Sequence, residues 1–582
     1  MKRNPSDEQR EIIKTRNTLS AIRACPGSGK TYAVAARLEK ILSEWNLTHQ
    51  GIAAASFTNV AWQEIERCLR DEFGVLSFPV HPHFLGTLDS FINSYIFLPF
   101  GHLVTGCSRR PVLTGPPHDT HEPIGRWMWW RSPVCNQKGC QLNEFSYDAD
   151  GKLIRMRHQA MGESCQFNPQ HPCVNNKRTF SKLGYATQPD SNYFALRVLL
   201  EYPLIAAALA LRFPVIMVDE AQDTSAIQMR ILERLVEGGL QDLMLIGDPD
   251  QAIYEWRDAE PHLFLEKCEA WGKGRTGLTE NWRSSQRICD CASHFASSTT
   301  RMRAVNPEVA DVSFAPLVLE WEREDKLPCL ADFYIEHCKG LGIPPSGVAV
   351  LSRSKELLNA IKPGSADDKS VSLWGDLISE RVARSRFLYE NGQYALAFRS
   401  LERAILQARS ARDTFDPMEL WKLYESGKLA DWRGDVFELL CSLPWTSGRA
   451  AGDWANEAND ILKNSRFPEL RVGVKRNSQK CRYQDLKLAG AFAQSDLLPQ
   501  ENEAVYKTVH AVKGETLDAV MLALKKKAGQ GPFYVNLLGK DIAGNEELRI
   551  VYVAITRARR MLALAVPSKA ASVWAKWLGL SK

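Results

Sequence analysis

Nowhere in its 582 residues does the sequence gather a long apolar run: the longest, Leu204 to Leu211, falls far short of a bilayer span and is followed by Arg212 and Pro214. The opening residues, Met1-Lys2-Arg3-Asn4-Pro5-Ser6-Asp7-Glu8, hold no apolar core, which argues against a secretory leader. A cytoplasmic chain with no membrane partner is expected. Charge of one sign is also lacking. Lys and Arg number 73 against 68 Asp and Glu, a formal net charge of +5, so any nucleic-acid surface must come from local clustering. No period repeats often enough to suggest a solenoid. Closely paired cysteines are missing as well. Among the 14 cysteines, Cys135 and Cys140, then Cys165 and Cys173, stand near His158 and His171 at spacings looser than Cys-x2-Cys ribbons. A structural zinc and free thiols both remain open there, and a disulfide framework does not fit such a chain.

What is present is an ordinary globular composition, 45% hydrophobic and 24% charged. The chain is too long for a single core, and about three to five domains are expected. The segment Ala24-Cys25-Pro26-Gly27-Ser28-Gly29-Lys30-Thr31 follows a strand candidate at Leu19 to Ala24 and opens a helical pattern from Tyr32 to Ser43. Strand, loop and helix in that order are the context that a phosphate-binding loop needs. Gly27 and Gly29 let backbone N–H groups turn onto phosphates, Lys30 can reach the β/γ-phosphates, and the Thr31 hydroxyl can ligate Mg2+. Ala24 stands where the motif usually has its first glycine. Far downstream, the apolar run Phe213 to Val218 delivers Asp219 and Glu220 to the carboxyl edge of a buried strand, the edge where open α/β sheets bind ligands. Asp219 is the candidate magnesium partner and Glu220 the candidate base or orienter of an attacking water. The two motifs together predict hydrolysis of a nucleoside triphosphate.

The coarse organisation is α/β, with two parallel-sheet regions that each carry an insertion. The first region spans 1–97 and 192–288, with strand candidates at Leu19 to Ala24, Ile52 to Phe57, Val215 to Val218 and Leu243 to Ile246. The second spans 289–360 and 501–582, with strands at Val348 to Leu351, Val520 to Leu524 and Met561 to Val566 and a helix from Glu546 to Ala558. The insertion 98–191 is heterogeneous, and its Trp127, Trp129 and Trp130 can be base-stacking residues or small-domain core. The insertion 361–500 reads as mostly helical, with two amphipathic helices between Arg381 and Arg409 joined at Asn391-Gly392. The basic stretch Arg471 to Lys487 can meet phosphates or form a solvated face.

Further motifs follow in a fixed order. Gln9, ahead of the first strand, has an amide able to read an adenine edge. Ser56-Phe57-Thr58-Asn59 and Gly86-Thr87-Leu88-Asp89-Ser90-Phe91 come next. After the carboxylates stand Gly247-Asp248-Pro249-Asp250-Gln251-Ala252-Ile253-Tyr254-Glu255-Trp256-Arg257 and Leu278-Thr279-Glu280-Asn281-Trp282-Arg283-Ser284. Val509-His510-Ala511-Val512-Lys513-Gly514-Glu515 and Tyr552-Val553-Ala554-Ile555-Thr556-Arg557-Ala558-Arg559 close the set.

This order resembles the superfamily 1 helicases of the UvrD/Rep/PcrA type across nearly all of both α/β regions. The resemblance implies two RecA-like cores, each with an inserted subdomain, and ATP with Mg2+ bound between them. It implies that Gln251 senses the γ-phosphate and that Arg283 and Arg557 reach it from the second core. It further implies that Trp282 stacks on adenine and Glu515 contacts the ribose. Phe57, Tyr254 and Trp256 match aromatics that stack on single-stranded DNA, while Thr58, Thr87 and His510 match phosphate-contacting or coupling positions. Movement from 3′ to 5′ is also implied.

Two positions depart from the family pattern. Asp89 stands where His is usual, placing a negative charge near the expected DNA backbone, and Glu515 falls one place early in Lys513-Gly514-Glu515-Thr516. The segments Phe84 to Phe91, Pro99-Phe100 and Ile253 to Pro261 more narrowly resemble the helicase-like subunit of the Gabija antiphage defence system. That likeness implies an OLD-type ATPase fused to a Toprim nuclease as partner, in a hetero-oligomer. A stand-alone repair helicase, or a DNA- or nucleotide-sensing subunit without unwinding activity, remains open beside it.

Overall fold

The computed structural model describes residues 4–75, 78, 81–114, 145–155, 172–253, 259–272, 277–298, 300–362, 373–390, 394–410, 432–477, 482–486, 488, 504–525, 535 and 537–580. The cysteine set Cys135, Cys140 and Cys165, the Cys173 side chain, and the Trp127, Trp129 and Trp130 cluster lie outside these residues, as do Tyr254 and Trp256.

Two parallel five-stranded sheets organise the molecule. The first comprises Leu19–Arg23 (β1), Ile52–Ser56 (β2), Phe84–Thr87 (β3), Val215–Asp219 (β4) and Asp242–Gly247 (β5), in the order β1-β5-β4-β2-β3. The second comprises Leu317–Trp321 (β6), Val348–Ser352 (β7), Val505–Thr508 (β8), Leu517–Ala523 (β9) and Ala558–Pro567 (β10), in the order β6-β10-β9-β7-β8. Counted within each sheet the order is the same, and all the pairings are parallel.

The central strands are continuous apolar runs because helices cover both faces. On the first sheet, Ile52, Ala54, Val215 and Met217 pack with the helices Asp7–Lys14 (α1), Lys30–Glu44 (α2) and Asn59–Phe73 (α3). The alternate residues Ala53, Ala55, Ile216 and Val218 join the cluster that holds Leu88–Ile92 (α4), Gln188–Glu201 (α5) and Ala226–Glu237 (α6). A two-residue alternation thus assigns each strand residue to one face.

The sequence pattern missed β3, β6 and β8 as strands. All three are edge strands, and most of their residues are only half buried, so they carry no full apolar run. The predicted helix from Glu546 also ends early: the helix Glu546–Ile555 (α7) stops before Thr556 and Arg557, and β10 already begins at Ala558. The Arg557 carbonyl accepts a hydrogen bond from Leu517 N at 3.0 Å, so β9 captures the chain there and the helix cannot continue. In the second insertion, helices Leu377–Glu390 and Tyr394–Ser410 pack with Arg433–Ser442 and Ala451–Lys463 around Trp454, which is fully buried. Among the described residues no single helix is long and apolar enough to cross a membrane.

Candidate nucleotide site between the two cores

The loop between β1 and α2 is held open by glycine geometry. Gly27 and Gly29 have φ of 67° and 74°, in the left-handed region that glycine enters without strain. A Cβ on Gly27 would also lie 2.7 Å from Arg283 Cβ and 2.8 Å from Asn281 Oδ1, so the segment from Asn281 to Arg283 lies against the loop. Hydrogen bonds to the loop carbonyls fix that approach: Trp282 N donates to Gly27 O at 2.8 Å, and Asn281 Nδ2 donates to Pro26 O at 2.8 Å. Ala24 is buried beside the first strand, its N donating to Gly247 O. Ser28 is 2% exposed and its hydroxyl has no hydrogen-bond partner. Gln9 is fully buried, with Nε2 donating to Ser28 O at 2.9 Å and Oε1 accepting from Ser6 N at 3.2 Å. Its amide braces the loop and caps α1.

Three carboxylates and a lysine meet at the sheet edge. Lys30 Nζ lies 3.7 Å from Glu220 Oε2, and Asp219 is hydrogen-bonded by the Thr31 hydroxyl and by Glu220 N. Burial, and after it the charge of Glu220, push the Asp219 carboxyl up. Burial acts on Glu220 in the same direction, but Lys30 and Lys513 outweigh it and hold that carboxyl down. Lys30 is desolvated too, yet Glu220, Asp248 and Asp219 keep its ammonium charged. Glu220 has φ of 53°, a left-handed backbone rarely adopted by a non-glycine residue. Gln222 fixes it, donating to Glu220 Oε2 at 2.6 Å while its Oε1 accepts from Asp248 N at 3.0 Å.

These groups suit a magnesium ion. Asp219 and Thr31 could supply hard oxygen ligands and are in contact with each other, and the unpartnered Ser28 hydroxyl sits in the same loop.

The second core completes the site. Gln251 bridges the two, with Nε2 donating to Asp248 Oδ2 at 2.7 Å and Oε1 accepting from Arg557 Nη2 at 2.7 Å. Arg283, in the segment that leads from the first core into the second, is held by the second core, donating to Thr516 Oγ1 at 2.9 Å and to Thr556 O at 3.1 Å. Burial lowers the pKa of both guanidiniums, and Arg557 lowers that of Arg283 further, to about 9. An anion between the two would relieve that cost. Two further cross-core contacts escaped the sequence reading: Lys513 Nζ with Asp223 Oδ2 at 2.5 Å, and Arg549 Nε with Ala252 O at 2.6 Å. Lys513 stood inside one of the ordered motifs, but nothing in its spacing named a partner almost three hundred residues away.

Trp282 is half buried beside the loop, and Glu515 pairs with Lys507 at 2.8 Å. Phe57 is half buried just beyond β2. Thr58 and Thr87 act as N-caps of α3 and α4, accepting from Ala61 N and Ser90 N. His510 lies in the 3-10 turn Val509–Val512 and is hydrogen-bonded to the Ile253 backbone of the first core. Asp89 does not stand as a free negative charge. Its Oδ1 accepts from Asn192 Nδ2 at 3.0 Å and from Gln228 Nε2 at 2.7 Å, tying α4 to α5 and α6.

Comparison with known proteins agrees with this geometry. The UvrD/REP helicase N-terminal domain matches residues 5–99 and 173–270, and the UvrD-like helicase C-terminal domain matches residues 492–569. The chain is 27% identical to "Gabija protein GajB" of Bacillus cereus (strain VD045) over 309 residues, 52% of this chain and 51% of that protein. It thus spans about half the length of that relative. It is 21% identical to "Putative ATP-dependent DNA helicase YjcD" of Bacillus subtilis (strain 168), across 97% of this chain and 78% of that one. Against "Exonuclease/helicase subunit RexA" of Streptococcus pneumoniae serotype 4, identity is 32% over 130 residues, 22% of this chain and 10% of that protein. With both domains matched in their order on two like-wound sheets, the chain belongs to the UvrD-like helicase family.

Proposed function

We propose that the protein is an ATP-driven DNA helicase or translocase. The observation that carries this reading is the Asp248–Gln251–Arg557 chain, which joins the carboxylate edge of one core to an arginine of the other. A triphosphate bound by the loop would meet Lys30 from the first core and Arg283 and Arg557 from across the cleft. Glu220, held down by Lys30 and oriented by Gln222, takes the role of orienting the attacking water. Magnesium, held by Thr31 and Asp219, would neutralise charge on the β- and γ-phosphates. Closure and release of the cleft then drive the strand past Phe57, Thr58, Thr87 and His510, with Tyr254 and Trp256 as further stacking residues. Movement from 3′ to 5′ belongs to the same reading.

The test is ATP turnover with and without single-stranded DNA, followed by strand displacement on a tailed duplex. Stimulated turnover with displacement supports a helicase. Turnover that ignores DNA favours a sensing role.

Antiphage defence beside a nuclease partner is the narrower reading, favoured by the similarity to the protein named for Gabija. An OLD-type/Toprim nuclease is the proposed partner. Co-expression with the neighbouring gene, then size-exclusion chromatography, tests it: co-elution with a nuclease supports the pairing, and separate elution returns the protein to a stand-alone helicase.

A further inference from the structure

Ser56 ends β2 at the carboxyl edge of the first sheet. Its register partners are Asp219 on β4 and Thr87 on β3. The alternation along both strands sets its direction. Ile52 and Ala54 on β2, like Val215 and Met217 on β4, face α2, so Ser56 and Asp219 stand side by side on the face that carries the phosphate loop. Adjacent strands lie about 4.8 Å apart, which makes the two side chains neighbours. Asp219 already receives the Thr31 hydroxyl from α2 on that face.

The Ser56 hydroxyl is fully buried and has no hydrogen-bond partner. A buried hydroxyl left unmatched costs free energy that an alanine, as at Ala54 two residues earlier, would not. Its position is also polar on both sides, with Asp219 to one flank and Thr87 to the other. Magnesium keeps several of its waters when one carboxylate and a hydroxyl hold it, and those waters need acceptors.

We propose that Ser56 is a positioning residue of the nucleotide site, its hydroxyl accepting a hydrogen bond from a water in the hydration shell of the magnesium held by Asp219 and Thr31. Phe57 and Thr58 follow it directly in the chain, so the strand end that senses the metal also carries two candidate DNA contacts. The inference rests on the proposed nucleotide site.

The experiment uses the full chain and a fluorescent ATP analogue, titrated with magnesium and again in EDTA, for wild type, Ser56→Ala and Ser56→Thr. Loss of the acceptor in Ser56→Ala should raise the magnesium needed for half of the metal-dependent gain in nucleotide affinity by about tenfold. Affinity in EDTA should stay at the wild-type value and the thermal midpoint should not fall, since the alanine removes an unmatched buried hydroxyl, and Ser56→Thr should restore the magnesium response. An unchanged magnesium requirement in Ser56→Ala overturns the proposal. So does an equal loss of affinity with and without the metal, or a lowered thermal midpoint, since either is the mark of a packing role. If the wild-type protein binds nucleotide indifferently to magnesium, it is the nucleotide-site reading that fails, and the comparison with wild type separates the two cases.

Discussion

The two cores share one strand order and differ in what stands at their carboxyl edges. In the first, β1 runs into a loop with two left-handed glycines, and β4 ends in Asp219 with Glu220 directly after it. In the second, the equivalent strand β6 is followed by Glu322, Arg323 and the 3-10 turn Glu324–Lys326, with no glycine, and β9 is followed by Leu524 and Lys525. Identical winding therefore specifies where a site can lie but not what it does. The second core contributes through a different place, the turn between α7 and β10, where Arg557 is held against Gln251.

The comparison is broken most severely at Lys30. Lys30→Ala should reduce ATP turnover to background, because it removes the loop ammonium that would reach the β/γ-phosphates, a group with no counterpart at the equivalent strand end of the second core. Wild-type turnover in that variant would mean that the glycine loop is not the phosphate site. Arg557→Ala should follow, cutting turnover by ~10³ while nucleotide affinity changes only modestly, as for an arginine that acts on transferring charge. A single-turnover rate equal to wild type would reduce the second core to a scaffold.

Next in size is the bond between cores. Lys513→Ala leaves Asp223 buried without its cation, and unfolding by denaturant should show a loss of about 3 kcal/mol. An unchanged midpoint would show that the cores do not lean on this pair. Its pH dependence sharpens the point. Burial pushes the Asp223 carboxyl from 3.8 to about 6, with Lys513 opposing. The folded state thus holds this proton more tightly than the unfolded one. The group's stabilising contribution is complete below about pH 4 and is lost as pH rises through about 6. Asp223→Asn should flatten the stability profile across that window, and a profile parallel to wild type would assign the slope elsewhere.

The smallest effect is expected inside the first core alone. Asp89→Ala removes the acceptor of two amides and should cost about 1–3 kcal/mol, whereas Asp89→Asn, which keeps an amide oxygen there, should cost less. Equal unfolding midpoints for both variants and wild type would show that the tie between α4, α5 and α6 is idle.

Legibility followed burial and locality. Strands β2, β4, β5, β7, β9 and β10 were readable because two-sided burial demands unbroken apolar runs, and β1, itself at an edge, was readable through the phosphate loop that it feeds. The edge strand β3, with Gly86 inside it, and the edge strand β8 were not, since half-buried residues can serve a loop equally well. The phosphate loop was readable because its glycines, lysine and threonine are neighbours in the chain. Asp89 was read as a departure from the family pattern that places a negative charge near the expected DNA backbone, while Asn192 and Gln228, which satisfy it, lie over a hundred residues on.

The sequence by itself determined the phosphate loop, the acidic strand end and the ordered motifs, because each depends on residue types at short, fixed separations that the backbone converts directly into geometry. Tertiary structure alone decided which side chains close the site: that Gln251 meets Arg557, that Lys513 meets Asp223, and that Arg283 lies over Gly27. Those pairs join segments separated by more than 250 residues, and their partners were set by the packing of two cores of the same winding, which no local pattern encodes.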